Sequence, residues 1–312
     1  MHYTVQKLKE LRALSLEDKV ALTKLRITEW YEHWGGAVYV SFSGGKDSTV
    51  LLTIARQLYP DVKAVYVDTG LEFPEVKQHV KTFANVDIIR PKKSFKQVIE
   101  EFGWVFPSKE VAYDIYYARK GSQWALNKFN GLDNKGNVDK WKSRSKRWKN
   151  LVNAPFKISD RCCTIMKKNP AKDYEKSTKK KPIIGTLAEE SSLRKNSWLA
   201  NGCNAFDAKR PTSQPLSFWT EQDILNYIRK YDIKIPSVYG KIVNKANKLC
   251  CSGNDRTGCI FCLIGVHLEK HPNRFERMKI THPKIYEYCM NVLNMKPILD
   301  YISEYTGESD LY

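Results

Sequence analysis

The 312-residue chain has no run approaching the roughly 18 uncharged apolar residues that a membrane-crossing helix requires. Its first residues, Met1 to Lys7, lack the apolar block of a secretory signal, which predicts a cytoplasmic protein with no membrane partner. No internal repeat or low-complexity tract interrupts the sequence, and its length predicts one large α/β domain with an appendage. Acidic residues are scarce beside basic ones, 34 against 52, and the resulting net charge of +18 favours polyanionic partners such as nucleic acid, or substrates that are nucleotides. Also missing is the G-x-x-x-x-G-K-[ST] spacing of a Walker A loop.

What stands in its place is Ser41-Phe42-Ser43-Gly44-Gly45-Lys46-Asp47-Ser48-Thr49, directly behind the β-rich run Ala37-Val38-Tyr39-Val40 and in front of the helical run from Val50 to Ala55. Two glycines let the backbone turn successive N–H groups toward an anion, and the helix N-terminus adds partial positive charge. Lys46, Ser43, Ser48 and Thr49 supply further contacts, so the loop reads as a polyphosphate cradle. About twenty residues on, the apolar run from Lys63 to Val67 ends at Asp68-Thr69-Gly70-Leu71-Glu72-Phe73-Pro74-Glu75, with Pro74 suited to a first helical position. Asp68 is thereby placed at the C-terminal end of a strand, where open parallel sheets bind ligands.

The surrounding pattern alternates strand and helix: strands near 37–42, 63–67, 86–90 and 182–185, and helices near 46–58 and 74–83, the signature of a doubly wound parallel sheet. An N-terminal helix begins at the capping pair Ser15 and Asp18, carries Leu16, Val20, Ile27, Tyr31 and Trp34, ends at Gly35-Gly36, and is expected to pack against the sheet edge. The segments divide as 1–36 (N-terminal helical region), 37–240 (nucleotide-binding domain) and 241–312 (cysteine motif and helices). Within the second, residues 109–157 hold twelve Lys and Arg against four Asp and Glu, interleaved with Tyr113, Tyr116, Tyr117, Trp124, Phe129, Trp141, Trp148 and Phe156. Cations and flat rings together suit single-stranded or flipped-base nucleic acid, although aromatics at helical spacing also serve as core.

Eight cysteines lie at 162, 163, 203, 250, 251, 259, 262 and 289, six of them in close pairs. In a cytoplasmic chain such clustering points to ligands or catalysts before disulfides. Cys162-Cys163, beside Arg161, Lys167 and Lys168, sit where thiolates are favoured. Two quartets are open: Cys162, Cys163, Cys259 and Cys262, or the compact set Cys250, Cys251, Cys259 and Cys262, which would make a local zinc knuckle. Cys203 and Cys289 stand alone and read as small buried hydrophobes.

The loop at 41–49 resembles the SGGxDS loop of the ATP pyrophosphatase (PP-loop) superfamily, and the element at 68–75 resembles the D-T-G-x-x-F-P-E element of its phosphoadenosine phosphosulfate (PAPS) reductase family. Gly185-Thr186-Leu187-Ala188-Glu189-Glu190-Ser191-Ser192-Leu193-Arg194 is similar to that family's G-x-x-x-x-E-S-x-x-R, and Pro215-Leu216-Ser217-Phe218-Trp219-Thr220-Glu221-Gln222-Asp223-Ile224 to its P-L-x-x-W-T-x-x-D-[IV]. The likeness runs from about residue 36 to 265 in shared order. It implies an adenine nucleotide alpha hydrolase-like fold and an ATP–Mg²⁺ site drawn from Ser41, Ser43, Gly44, Gly45, Lys46, Asp47, Ser48, Thr49, Asp68, Gly70 and Gly185. It further implies catalytic roles for Lys46, Asp47, Asp68 and Arg194, and a [4Fe-4S] cluster on Cys162, Cys163, Cys259 and Cys262, with Zn²⁺ the alternative.

Two departures qualify the likeness. Sulfonucleotide reductases use a cysteine in a C-terminal Glu-Cys-Gly tail, whereas no cysteine follows Cys289 here, and the intact SGGKDS loop is typical of members that cleave ATP. ATP sulfurylase small subunits share the loop without the cysteine quartet. The pattern resembles most the iron-sulfur ATP pyrophosphatases of DNA phosphorothioation and tRNA thiolation. That implies adenylation of a DNA or tRNA target followed by sulfur transfer, with a sulfur-donor protein such as a cysteine desulfurase as partner. Sulfonucleotide reduction and a non-catalytic nucleotide- and nucleic-acid-binding regulator are the alternatives.

Overall fold

The computed structural model describes residues 3–139, 146–307 and 311–312. Its contacts divide into two compact units, one comprising Met1–Asp68, Glu72–Arg90 and Pro170–Gly258, the other Thr69–Leu71, Pro91–Asn169 and Cys259–Tyr312. No described helix is long and apolar enough to cross a membrane.

The first unit is built on a six-stranded sheet of order β3-β2-β1-β4-β6-β5, where β1 is Val38–Ser41, β2 Ala64–Val67, β3 Val86–Ile89, β4 Lys181–Ile184, β5 Asn204–Ala205 and β6 Thr212–Ser213. All neighbours are parallel except β5 with β6. Val40 aligns with Ala64 on one side and Ile183 on the other, so β1 is central and buried on both faces, as its unbroken apolar run requires. The α/β doubly wound expectation holds, and the strand order reverses between β1 and β4. That reversal opens the crevice in which such sheets take ligands.

The helix α2 (Leu16–His33), preceded by α1 (Val5–Arg12), corrects the expected hydrophobic stripe by one position. Its buried residues are Lys19, Thr23, Ile27 and Trp30, while Leu16, Val20, Tyr31 and Trp34 pack only partly. It lies beside α3 (Lys46–Leu58) and, as expected, against the sheet edge, where it meets β6 and where Asn204 of the outermost strand β5 donates to the Arg26 carbonyl at 2.9 Å and the Glu29 carboxylate at 3.2 Å. The polar pair is buried because it is partnered: Lys19 Nζ meets Asp223 Oδ2 at 2.8 Å, and Thr23 Oγ1 donates to the Pro215 carbonyl and accepts from Trp219 Nε1. Those partners belong to the Pro215–Ile224 segment, where Thr220 and Asp223 form a capping box for the helix Glu221–Lys230.

The second unit holds the basic segment as two helices, α6 (Lys109–Ala118) and α7 (Gln123–Phe129), which follow α4 (Pro74–Lys81, in the first unit) and α5 (Phe95–Phe102) in the chain. The Arg119 guanidinium pins the return of this segment by donating to the carbonyls of Leu151, Val152, Ala154 and Phe156. Two of the aromatics are core: Phe129 is 1% exposed, and Trp148 is buried edge-on against Phe106 and His267 and stacked on Tyr305. Lys140, Trp141, Lys142 and Arg144 lie outside the described residues.

Candidate functional site

The phosphate-cradle loop sits between β1 and α3, at the point where the strand order reverses. Gly44 takes φ +73°, and a Cβ there would lie 2.7 Å from Val80 Cγ2 and 2.8 Å from Val76 Cγ1. Both the dihedral and the close seat on α4 require glycine. Gly185, at the exit of β4, approaches the loop from the other side: a Cβ would stand 3.1 Å from the Asp47 carbonyl oxygen and 3.3 Å from Ser48 Cα. Two motifs separated by more than a hundred residues are thus brought into backbone contact. Gly44→Ala is expected to destabilise the protein by about 2 to 4 kcal/mol, from left-handed strain plus overpacking, read as a fall in the urea midpoint with the slope unchanged.

The loop hydroxyls divide. Ser43 is exposed and lies 3.0 Å from Ser48 Oγ. Ser48 and Thr49 are buried and donate back to the Gly45 carbonyl at 2.9 and 3.0 Å, and Thr49 also meets His79 Nε2 at 3.2 Å. Burial lowers the pKa of His79. Ser41 ends β1 immediately before the turn.

Lys46 is the first residue of α3 and only 4% exposed. Its Nζ donates to the Asp255 carbonyl at 2.8 Å and pairs with Glu221 Oε1 at 3.2 Å, and its backbone N–H donates to Tyr239 Oη at 3.2 Å. Burial pulls the ammonium pKa down, but Asp47, Tyr239 and Glu221 together hold it above the ordinary lysine value. Asp47 is pushed upward by burial against the pull of Lys46. Its Oδ1 is buried with no hydrogen-bond partner, a hard oxygen donor left over inside the site. Tyr239, Glu221 and the Asp255–Thr257 stretch were not legible from local sequence, because the chain returns to the loop from about 200 residues away.

Asp68 follows β2 as expected, and its carboxylate is taken by Lys77 at 2.7 Å and Arg90 at 3.3 Å. Arg194 lies on the helix Ser192–Asn201, 40% exposed, paired with Glu190. Glu190 in turn is among the groups whose charge reaches Asp47. Gly70, in the second unit, adopts φ +75° with open space around it.

The cysteines sort by unit. Cys162, Cys163, Cys259 and Cys262 all belong to the second unit and line one cavity with Leu71, Phe95, Ile99, Trp104, Val105, Met166 and Phe261. The Cys162 and Cys163 sulfurs are 4.0 Å apart. The hydrogen bond from Cys162, aided by Lys109 and Lys167, brings Cys163 down to about 5, while the same bond pushes Cys162, which keeps the proton, upward. Burial raises Cys259 and Cys262, opposed by Lys167 and Arg274 respectively. Among the described residues, no three His, Cys, Asp or Glu side chains are drawn together closely enough to hold a single metal ion. Cys250 and Cys251 belong to the first unit, on β8 (Lys248–Cys251), paired antiparallel with β7 (Ile242–Lys245). Successive strand residues face opposite sides, so these two thiols do not converge: Cys251 is buried, and Cys250 points to the Val243 carbonyl.

The family described as phosphoadenosine phosphosulfate reductase domain matches residues 37–120 and 110–263. An uncharacterized protein of Methanocaldococcus jannaschii is 25% identical over 312 residues, covering 91% of this chain and 58% of that protein. An adenosine 5'-phosphosulfate reductase of Staphylococcus haemolyticus is 26% identical over 208 residues, 66% of this chain and 67% of its own length. Of solved structures, the PAPS reductase of Candida auris in its phosphate complex aligns with a TM-score of 0.40 at 15% identity, covering 80% of this chain and 98% of that one. The chain spans little more than half of the Methanocaldococcus protein.

Proposed function

The chain belongs to the phosphoadenosine phosphosulfate reductase domain family, and from that membership and the geometry of its loop we propose that it is an ATP pyrophosphatase that adenylates a nucleic-acid acceptor for sulfur transfer. The observation that carries this reading is Lys46: a cation 4% exposed at the first position of a helix, the end where the helix dipole is already positive. Glu221, Asp47 and the Asp255 carbonyl hold the buried ammonium in this structure, and the β and γ phosphates of ATP are the anions that a cation at this end of a loop-capped helix suits. With the nucleotide so held, an acceptor oxygen attacks the α-phosphorus, the bond to the β-phosphate oxygen breaks, and pyrophosphate leaves. Lys46 and the α3 N-terminus take up the charge that develops on the leaving group. A sulfur nucleophile from a donor protein then displaces AMP. Mg²⁺ suits the buried, unpartnered Asp47 Oδ1 and neutralises phosphate charge when bound.

Four thiols on one apolar cavity, ringed by Lys109, Lys167 and Arg274, fit an anionic thiolate-bound group. A single zinc ion on the same four thiols is the alternative occupant, and the family resemblance is what favours a polynuclear iron-sulfur cluster. Cys162, Cys163, Cys259 and Cys262 would hold it, and it would supply sulfur-binding or one-electron chemistry. The acceptor class rests on the net charge of +18 and on the half-exposed rings of Tyr113, Tyr116, Tyr117 and Trp124, with Lys120 lying 4.4 Å and Arg161 5.2 Å over the Tyr116 ring.

The deciding assay measures pyrophosphate released from ATP, with and without DNA or tRNA, against sulfite released from adenosine 5'-phosphosulfate. Nucleic-acid-stimulated pyrophosphate supports the reading. Sulfite alone would establish reduction, and tight ATP binding without turnover a regulator. Neutralising Lys140, Lys142, Arg144, Lys146 and Arg147 together is expected to flatten the plot of log K against log salt by several units if all five meet phosphates, each contributing about 0.7 to 0.9.

A further inference from the structure

The groups around Lys46 share one chemical character. Its ammonium faces the Asp255 carbonyl oxygen and a Glu221 carboxylate oxygen, and its backbone N–H faces the Tyr239 hydroxyl oxygen. These are the donors that a phosphate would use, and all of them are already engaged by oxygens of the same chain. Tyr239 Oη is bridged to Thr257 Oγ1 at 2.7 Å, and both atoms press on the loop: a Cβ at Gly45 would lie 3.1 Å from each. The stretch is hinged on a firm base, since Ser252, Gly253 and Asn254 donate backbone hydrogen bonds to the carbonyls of Lys241, Tyr239 and Val238. Gly253 is packed too tightly there for any side chain, with a Cβ placed 2.5 Å from the Val238 carbonyl oxygen. Beyond that base, Asp255 to Thr257 have no helix or strand of their own, and their hydrogen bonds named above run to Lys46 and Tyr239.

We propose that Tyr239 and the strap Asp255–Thr257 form a latch that occupies the phosphate donors of the loop when no nucleotide is present and is displaced when a nucleotide binds. The inference rests on the reading of the loop as a phosphate site and adds an intramolecular competitor to it. A closed latch raises the apparent Kd by the reciprocal of the open fraction, so weakening the latch tightens binding. The two hydroxyl bonds of Tyr239 are ordinary neutral ones, each worth a small multiple in the equilibrium, whereas the bond from the Lys46 ammonium to the Asp255 carbonyl is charge-assisted and is exchanged for one to phosphate.

The test compares the parent with Tyr239→Phe/Thr257→Ala, which removes both bridging hydroxyls while keeping the ring in the core. Calorimetric titrations with MgATP and with pyrophosphate alone are paired with hydrogen exchange of the peptide covering 252–258. The expected result is binding about three- to tenfold tighter in the double variant, and faster exchange of 252–258 when the parent is loaded. A double variant that binds while the parent does not would also support the latch. Binding by the parent that weakens in the variant, with 252–258 protected by the nucleotide, would make these residues phosphate ligands and overturn the latch while leaving the phosphate site standing. Equal affinity in both proteins would overturn it in the same way. If neither protein binds either ligand, the phosphate reading fails, and the latch with it.

Discussion

Lys46→Ala is expected to weaken MgATP binding by about 2 to 3 kcal/mol, roughly 30- to 150-fold, with the circular dichroism spectrum unchanged. The size follows from where the ammonium sits. It is almost fully buried, shares its environment with Asp47 and Glu221, and would meet phosphate in a partly desolvated cleft where a charge-assisted bond is strong. Removing it leaves two carboxylates facing the incoming polyanion. The same substitution frees the Asp255 carbonyl and loosens the latch, so the measured loss is the phosphate contact less a smaller gain from opening the strap. Tyr239→Phe/Thr257→Ala in the Lys46→Ala background separates the two contributions, since only the second remains to be removed. A variant that bound MgATP as tightly as the parent would remove the loop from the active centre altogether.

Much of the first unit was legible because it is local. The run Val38 to Ser41, the two-glycine turn and the helix from Lys46 follow one another within about twenty residues, and each carries its own signal of branched apolar residues, positive-φ glycine or helical periodicity. The three following elements, β2, α4 and β3, fall within two residues of where the pattern puts them. What failed locally did so for tertiary reasons. β5 and β6 are two residues each, too short for any alternation to register, and exist because Asn204 pairs with Ser213 at the sheet's margin. The face of α2 was misphased because Lys19 and Thr23 are buried by partners near residues 215–223, which no window over α2 contains.

The site divides along the same line. Ser43 to Thr49 and Gly185 were identifiable as motifs, and the reversal of strand order between β1 and β4 explains why the two meet. Tyr239, Glu221 and Asp255 reach Lys46 across sequence separations of 175 to 209 residues through side-chain and carbonyl contacts that leave no periodic trace. Trp148 shows the converse hazard. A tryptophan between Arg147 and Lys149 has the composition of a stacking platform, yet it is buried against Phe106 and His267, and its ring is taken by Tyr305 and the Arg147 guanidinium. Among the described aromatics of the basic segment, Tyr113 is exposed and its neighbours Tyr116, Tyr117 and Trp124 on α6 and α7 are half-buried, as is Phe156, which packs edge-on against Tyr301.

Protein purified without oxygen is expected to be brown, with a broad absorption at about 400 nm and about four irons per chain, and to lose both when any one of Cys162, Cys163, Cys259 or Cys262 is changed to serine. The four thiols line one cavity whose other walls are largely apolar, which excludes water, and the cations Lys109, Lys167 and Arg274 offset the charge of four thiolates. A hydroxyl cannot replace a thiolate there, and the remaining three ligands hold an incomplete group, so the loss should approach the whole iron content and not a quarter of it. Cys250→Ser and Cys251→Ser are the controls: they belong to the first unit, on opposite faces of β8, and should leave the colour unchanged. A colourless protein with one zinc per chain, lost on the same four substitutions, would keep the ligands and change the metal. Bleaching by Cys250→Ser and Cys251→Ser, with Cys162→Ser retaining its full metal, would falsify the quartet, because it would require β8 to turn both consecutive side chains toward one centre.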